Sequence, residues 1–119
     1  MGVEGDRRRG RPVQPDGPEA REGPVSESSL ERSARLHAAK RKVRSAKLQG
    51  GIVGEPDRVF FLPAERCWLV EFKSATGRRS PRQEIVHEEY LHLGHRVDTI
   101  RSMPQFKKAL DMKLQAPVD

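Results

Sequence analysis

Cysteine occurs once, at Cys67. A single thiol excludes an internal disulfide framework and a multi-cysteine zinc site. Long apolar runs are missing as well. None approaches the ~18 residues of a membrane-spanning helix, so a spanning protein is excluded and no membrane partner is expected. Met1-Gly2-Val3-Glu4-Gly5-Asp6 has no apolar stretch behind its charges, and no signal peptide is expected. Hydrophobic residues are only 34% of the 119, below the ~45–50% usual for globular domains in a count that includes Gly. Either the core is small or part of the chain has none. These absences lead to the expectation of one small soluble domain from a reducing compartment.

What is plentiful is charge. Lys and Arg number 23 against 17 Asp and Glu, a balance of +6. A basic protein of this size suits an anionic partner, most often nucleic acid. The charge is unevenly placed. Residues 1–24 hold five Gly and four Pro, with Arg7, Arg8, Arg9, Arg11 and Arg21 balanced by Glu4, Asp6, Asp16, Glu19 and Glu22. Such a segment buries too little surface to offset its ordering entropy. Residues 1–27 are therefore expected to form a disordered arm, residues 28–115 the folded domain and residues 116–119 a frayed end.

A helix is expected from Ser28 or Ser29, a good N-cap, to about Lys47. Leu30, Ala34, Ala38 and Val43 give it a narrow apolar stripe. No acid follows Glu31 until Glu55, while Arg32, Arg35, Lys40, Arg41, Lys42, Arg44 and Lys47 are all basic. So one-sided a run reads as a phosphate-facing surface, with Arg35, Lys40, Arg41 and Arg44 tracking a nucleic-acid backbone.

Gln49-Gly50-Gly51 ends that helix, and Ile52-Val53 reads as a short first strand. Gly54-Glu55-Pro56 is a turn. Arg58–Leu62 and Cys67–Lys73 read as strands joined by a short hairpin connection at Ala64-Glu65-Arg66. Ser80-Pro81-Arg82-Gln83 is a helix start: Ser80 as N-cap, Pro81 at the first position and Gln83 completing a capping box. That helix runs past Ile85, Val86, Tyr90, Leu91 and Leu93 to Gly94, a C-terminal glycine. Arg96–Ile100 is another strand. Ser102 caps a last helix with Met103, Phe106, Leu110 and Leu114 on its apolar side. The class is α/β, a small mixed sheet flanked by helices in the order α-β-β-β-α-β-α.

Strand alternation places Trp68, Val70 and Phe72 on one face and Cys67, Leu69, Glu71 and Lys73 on the other. Glu71 and Lys73 thus stand together at the end of an apolar strand, where charge is costly unless paired or metal-bound. If the two strands form a hairpin, Asp57 approaches them. Two carboxylates converging near a lysine suit a hard divalent cation, Mg²⁺ or Mn²⁺. Such a cation activates water and stabilises charge on a phosphoryl oxygen.

Gly54-Glu55-Pro56-Asp57-Arg58, Glu71-Phe72-Lys73, Ser80-Pro81-Arg82-Gln83 and Gly94-His95-Arg96-Val97, in this order, resemble the VRR-NUC (virus-type replication-repair nuclease) domain of the PD-(D/E)XK superfamily. The resemblance covers roughly residues 29–112. It implies a restriction-endonuclease-like core, with Asp57 and Glu71 as metal-binding acids, the main-chain carbonyl of Phe72 as a further ligand and Lys73 as the catalytic lysine. It also implies that Gln83 reaches toward the active site and that an acid of the first helix completes it. Glu31 is the candidate there, with Glu27 behind it. Lys47 matches a basic residue that precedes the Gly-x-Pro-Asp turn. Glu55 is expected to point away and pair with a neighbouring base.

The expected function is Mg²⁺- or Mn²⁺-dependent hydrolysis of phosphodiester bonds in DNA. By resemblance the protein is a phage or mobile-element type replication and repair nuclease acting in the cytoplasm of a bacterial host. Branched DNA is a candidate substrate and a homodimer a candidate working form. The alternative is a non-catalytic DNA-binding module of the same fold. Other chemistry falls away: His87 and His92 are five apart, not the four a zinc-protease helix needs. The four histidines are expected to be surface or flanking residues, and Cys67 is expected to be a small buried hydrophobe.

Overall fold

The computed structural model describes residues 26–48 and 53–115. Of the arm expected over residues 1–27, residues 1–25 lie outside the described residues, as do the helix end expected at Gln49-Gly50-Gly51, Ile52 and the frayed end expected over residues 116–119. The elements are α1 (Glu27–Lys40), β1 (Arg44–Lys47), β2 (Arg58–Leu62), β3 (Arg66–Phe72), α2 (Pro81–His92), β4 (Val97–Ile100) and α3 (Met103–Gln115). This is the expected order α-β-β-β-α-β-α. Among the described residues no helix is long and apolar enough to cross a membrane.

The strands form one sheet in the order β1-β2-β3-β4. The first two pairings are antiparallel and β3 to β4 is parallel, so α2 is the crossover a parallel pair requires. β3 lies inside the sheet, and its residues from Trp68 to Phe72 are all buried. The sheet is thick on one side and thin on the other. On the thick side α1 and α3 lay Leu30, Ala34, Ala38, Phe106 and Leu110 against Phe60, Trp68, Val70, Phe72 and Ile100. Phe106 is the centre of this core, its ring 5.3 Å from those of both Phe60 and Trp68. On the thin side, among the described residues, Val59, Leu69 and Val97 are joined by the partly buried Leu48 and Tyr90.

Three sequence expectations are corrected. α1 begins at Glu27, capped by Ser26, and ends at Lys40 rather than Lys47. The first strand is accordingly Arg44–Lys47, and Val53 lies in a turn. The reason is a hidden helix stop. Lys42 adopts φ 66°, and the Val43 amide donates back to the Ala38 carbonyl at 2.9 Å, the long-range bond of a Schellman ending. α2 ends in the same way: Gly94 has φ 91° and the His95 amide donates to the Tyr90 carbonyl at 2.9 Å. Gly94 was legible as a stop because glycine is usual at that position. Lys42 was not.

Cys67 is exposed, not buried. It pairs with Phe61, itself 48% exposed, at the end of the thin face that α2 does not cover. His87 is buried, not at the surface. α2 turns Val86 and His87 inward and leaves Ile85, Leu91 and Leu93 at 49%, 54% and 75% exposure. Its inner face is polar because it looks onto Glu71.

Two positive-φ positions should respond in opposite directions. Lys42→Gly should stabilise the protein by about 0.5–1 kcal/mol, since an L side chain is strained in the left-handed region. Gly54 has φ 101°, and a Cβ there would lie 2.8 Å from the Arg82 carbonyl oxygen. Gly54→Ala should cost more than about 1 kcal/mol. Urea denaturation of the two variants checks both signs.

Candidate active site

The site is built at the end of the sheet where β2 begins and β3 ends. The hairpin register sets Arg58 opposite Val70 and continues one residue further, with the Asp57 amide donating to the Val70 carbonyl at 3.0 Å. Asp57 therefore lies beside Glu71, as the hairpin argument requires. Its Oδ2 accepts the Phe72 amide at 2.7 Å, which ties the carboxylate to the end of β3. Burial raises the Asp57 pKa against that hydrogen bond, and the nearby Glu31 charge adds to the rise.

Glu71 is 2% exposed. Its Oε2 accepts from Gln83 Nε2 at 2.7 Å and lies 3.6 Å from Lys73 Nζ. Its Oε1 has no hydrogen-bond partner among the described residues. Burial, and then the charge of Asp57, push its pKa up to about 7, against the opposing pull of Lys73 and Gln83. The two acids are held together because the hairpin register and the Phe72 amide fix Asp57 beside Glu71.

Gln83 does two jobs. Its Oε1 accepts the Ser80 amide at 2.8 Å while its own amide donates to Ser80 Oγ at 3.1 Å, completing the capping box. Its Nε2 is the donor to Glu71. The loop from β3 into α2 is fastened from below by Arg101, which donates to the carbonyls of Ser74 at 2.8 Å and Gly77 at 2.6 Å. The Lys73 amide donates to the Ile100 carbonyl at 3.0 Å, which fixes the stem of its side chain.

Glu31 is at this end of the molecule, but both its oxygens are engaged. Lys47 Nζ donates to them at 2.8 and 3.0 Å, and Arg58 Nε donates to Oε2 at 3.1 Å. Glu31 thus reaches the site through its charge on Asp57, not through a free oxygen. Glu27 accepts the Ser74 amide at 3.4 Å. Glu55 turns away and accepts from the Tyr90 hydroxyl at 2.5 Å, a phenol and not the expected base. That bond, then burial, pushes the Tyr90 pKa up to about 12.

The basic residues are divided. Lys47 lies at the site, opposite Arg58. Arg44 is at the other end of β1, opposite Phe61. Lys40 ends α1 and Arg41 follows it, paired with Asp111. Thirteen helical steps separate Glu27 from Lys40, about 20 Å along the axis. Arg35, Lys42 and Arg44 line a groove with Ala39, Val43 and Ser45 on this distant side.

His87 is the site residue that the sequence reading missed. Its Nδ1 lies 2.8 Å from Arg79 Nη1 and its Nε2 lies 3.8 Å from Glu71 Oε1. Burial, and then the Arg79 charge, lower its pKa, which favours the neutral ring. The available signal was spacing: His87 follows Gln83 by four residues, one turn along the same helix face.

The donor set bears on metal binding. Among the described residues no group of three or more His, Cys, Asp or Glu side chains is placed to hold a metal ion. Two carboxylates do converge, one with an unpartnered buried oxygen, and an all-oxygen set that admits the Phe72 carbonyl suits a hard cation. The residues fit such an ion as a set of two acids and a main-chain oxygen.

The sequence matches no family model and no curated protein. A solved structure described as a VRR_NUC domain is similar over 73% of this chain and 97% of that one, with a TM-score of 0.66 and 26% sequence identity.

The raised pKa of Glu71 has a measurable sign. In metal-free protein the native state holds a proton on Glu71 that the unfolded chain releases from about pH 4.5. The Glu71 contribution to stability should be full below pH 4.5, fall as pH rises and be lost above about pH 7. The fall should be on the order of 3 kcal/mol. Glu71→Gln should remove most of this slope in denaturant titrations run in EDTA.

Proposed function

Since this chain has the VRR-NUC fold of a nuclease-type domain, we propose that it hydrolyses phosphodiester bonds in DNA with the help of Mg²⁺ or Mn²⁺. The observation that carries this reading is the meeting of Asp57, Glu71 and Lys73 at one sheet end, with one buried carboxylate oxygen that has no partner among the described residues. Asp57, Glu71 and the Phe72 carbonyl would hold the cation. Bound there, it supplies Lewis-acid stabilisation of charge on a phosphoryl oxygen and lowers the pKa of water.

The protein's own groups do the rest. Lys73 brings an ammonium to the Glu71 carboxylate, where it orients the attacking water and offsets negative charge that develops on the phosphate. Gln83 donates to Glu71 Oε2 and keeps that oxygen from rotating. Glu31, held by Lys47 and Arg58, adds negative potential at Asp57 without giving up an oxygen. Arg35, Lys40, Arg41 and Arg44 serve the phosphate backbone at a distance. A duplex along α1 would span about six base pairs between the acids and Lys40. Contacts of that kind read charge and shape, not sequence, which suits branched substrates. A homodimer would add the surface that one small domain lacks.

The alternative is a DNA-binding module of the same fold without activity. What favours it is Glu31: with both its oxygens taken by Lys47 and Arg58, two acids converge where a third was expected.

End-labelled duplex, single-stranded and four-way-junction DNA should be incubated with the protein in Mn²⁺, Mg²⁺ or EDTA. Cutting is expected with either metal and not in EDTA. Asp57→Ala and Lys73→Ala should each lower the rate by at least ~100-fold. Binding without cutting by the wild-type protein would select the non-catalytic module. In the same binding assay Lys40→Ala and Arg44→Ala should each weaken affinity and reduce the log–log salt slope by about 1; an unchanged slope would remove the distant basic side from the interface.

A further inference from the structure

Glu71 is served unequally on its two sides. Oε2 takes the Gln83 amide and has the Lys73 ammonium near it. Oε1 takes nothing, yet it is buried and faces the Nε2 of His87, another buried atom without a partner among the described residues. Leaving two such atoms unpaired is costly, and here they face one another at 3.8 Å.

The chemistry of the His87 ring is fixed from behind. Arg79 Nη1 lies 2.8 Å from His87 Nδ1. A guanidinium has donors only, so Nδ1 must accept and the ring hydrogen must sit on Nε2. The N–H so defined is on the ring nitrogen that lies 3.8 Å from Glu71 Oε1. The separation is beyond a direct hydrogen bond, but a fixed N–H dipole in a buried setting still orients a carboxylate. His87 is 6% exposed and lies on the α2 face that carries Gln83. The capping box that places Gln83 therefore places His87 as well.

We propose that His87 is a positioning residue for Glu71, its Nε2–H setting the rotation of the carboxylate from the Oε1 side as Gln83 does from the Oε2 side, with Arg79 selecting the tautomer. The proposal rests on the reading of Glu71 as a cation-holding acid. It adds to that reading a second, polar support and a third residue behind it. Groups that orient a ligand without touching the ion are worth about 10–100-fold in metal affinity.

Mn²⁺ binding should be measured by isothermal titration on the full chain, with wild type, His87→Leu, His87→Gln and Asp57→Ala in parallel. Mn²⁺ should bind wild type, and Asp57→Ala should not bind it. His87→Leu keeps the volume and loses the donor; its affinity should fall about 10–100-fold, and the Mn²⁺ concentration for half-maximal cleavage should rise by the same factor. His87→Gln restores an N–H and should recover most of the loss. Wild-type affinity in His87→Leu would overturn the proposal alone. No Mn²⁺ binding by wild type would overturn the reading of Glu71 on which it rests. Should His87→Leu fail to fold, Arg79→Met and the imidazole ¹⁵N shifts of metal-free wild type decide. The shifts should report the Nε2–H tautomer, and Arg79→Met should mix the two tautomers and weaken Mn²⁺ binding. An Nδ1–H ring in wild type would overturn the proposal without any metal present.

Discussion

The burial of one carboxylate constrains the whole of this end of the molecule. Glu71 belongs to the innermost strand, is nearly closed to solvent and stands beside a second acid. A charge in that position is tolerable only with donors around it. The helix cap at Ser80, the amide of Gln83, the ammonium of Lys73 and the Arg101 clamp on the loop all serve that requirement. Other parts of the fold are arranged around hydrophobic area, with Phe106 filling the thick side of the sheet. The thin side is arranged around Glu71. This explains why α2 buries so little apolar surface: its inward face gives Gln83 and His87 to Glu71, with Val86 and part of Tyr90 as its apolar contribution.

Much of the architecture was legible in the sequence because the local signals agreed with the tertiary outcome. Ser80-Pro81-Arg82-Gln83 announced α2 and its cap. The alternation from Trp68 to Lys73 assigned the two faces of β3. The Gly-x-Pro-Asp turn and the hairpin brought Asp57 beside Glu71. The failures have physical causes. The end of α1 was hidden because a lysine, Lys42, occupies a left-handed position where glycine is usual. Cys67 is exposed because α2 covers only part of the thin face, and the length of that cover is a tertiary fact. His87 was missed because a buried histidine on a polar inner face looks like a surface residue until its partner, Glu71, is known to lie inside.

The molecule is also polar along its length. α1 starts with acids at the site and ends in bases at the opposite pole. The two groups are joined by the narrow stripe of Leu30, Ala34 and Ala38, which buries the helix without interrupting either. At the site end the cations Lys47 and Arg58 are consumed in holding Glu31. At the far end Arg41 is paired with Asp111, and among the described residues Arg35, Lys40, Lys42 and Arg44 form no ion pair. The same basic run therefore supports structure at one pole and leaves charge facing solvent at the other.

The double use of Gln83 limits what evolution can place there. The position needs an acceptor for the Ser80 amide and a donor for Glu71 on one uncharged side chain of sufficient reach. Glutamate would keep the cap but set a further negative charge against a carboxylate already crowded by Asp57. Lysine would supply a donor and lose the cap. Asparagine has both ends but is one carbon shorter. Glutamine meets these demands on one side chain, so the start of α2 and the setting of Glu71 stand or fall together.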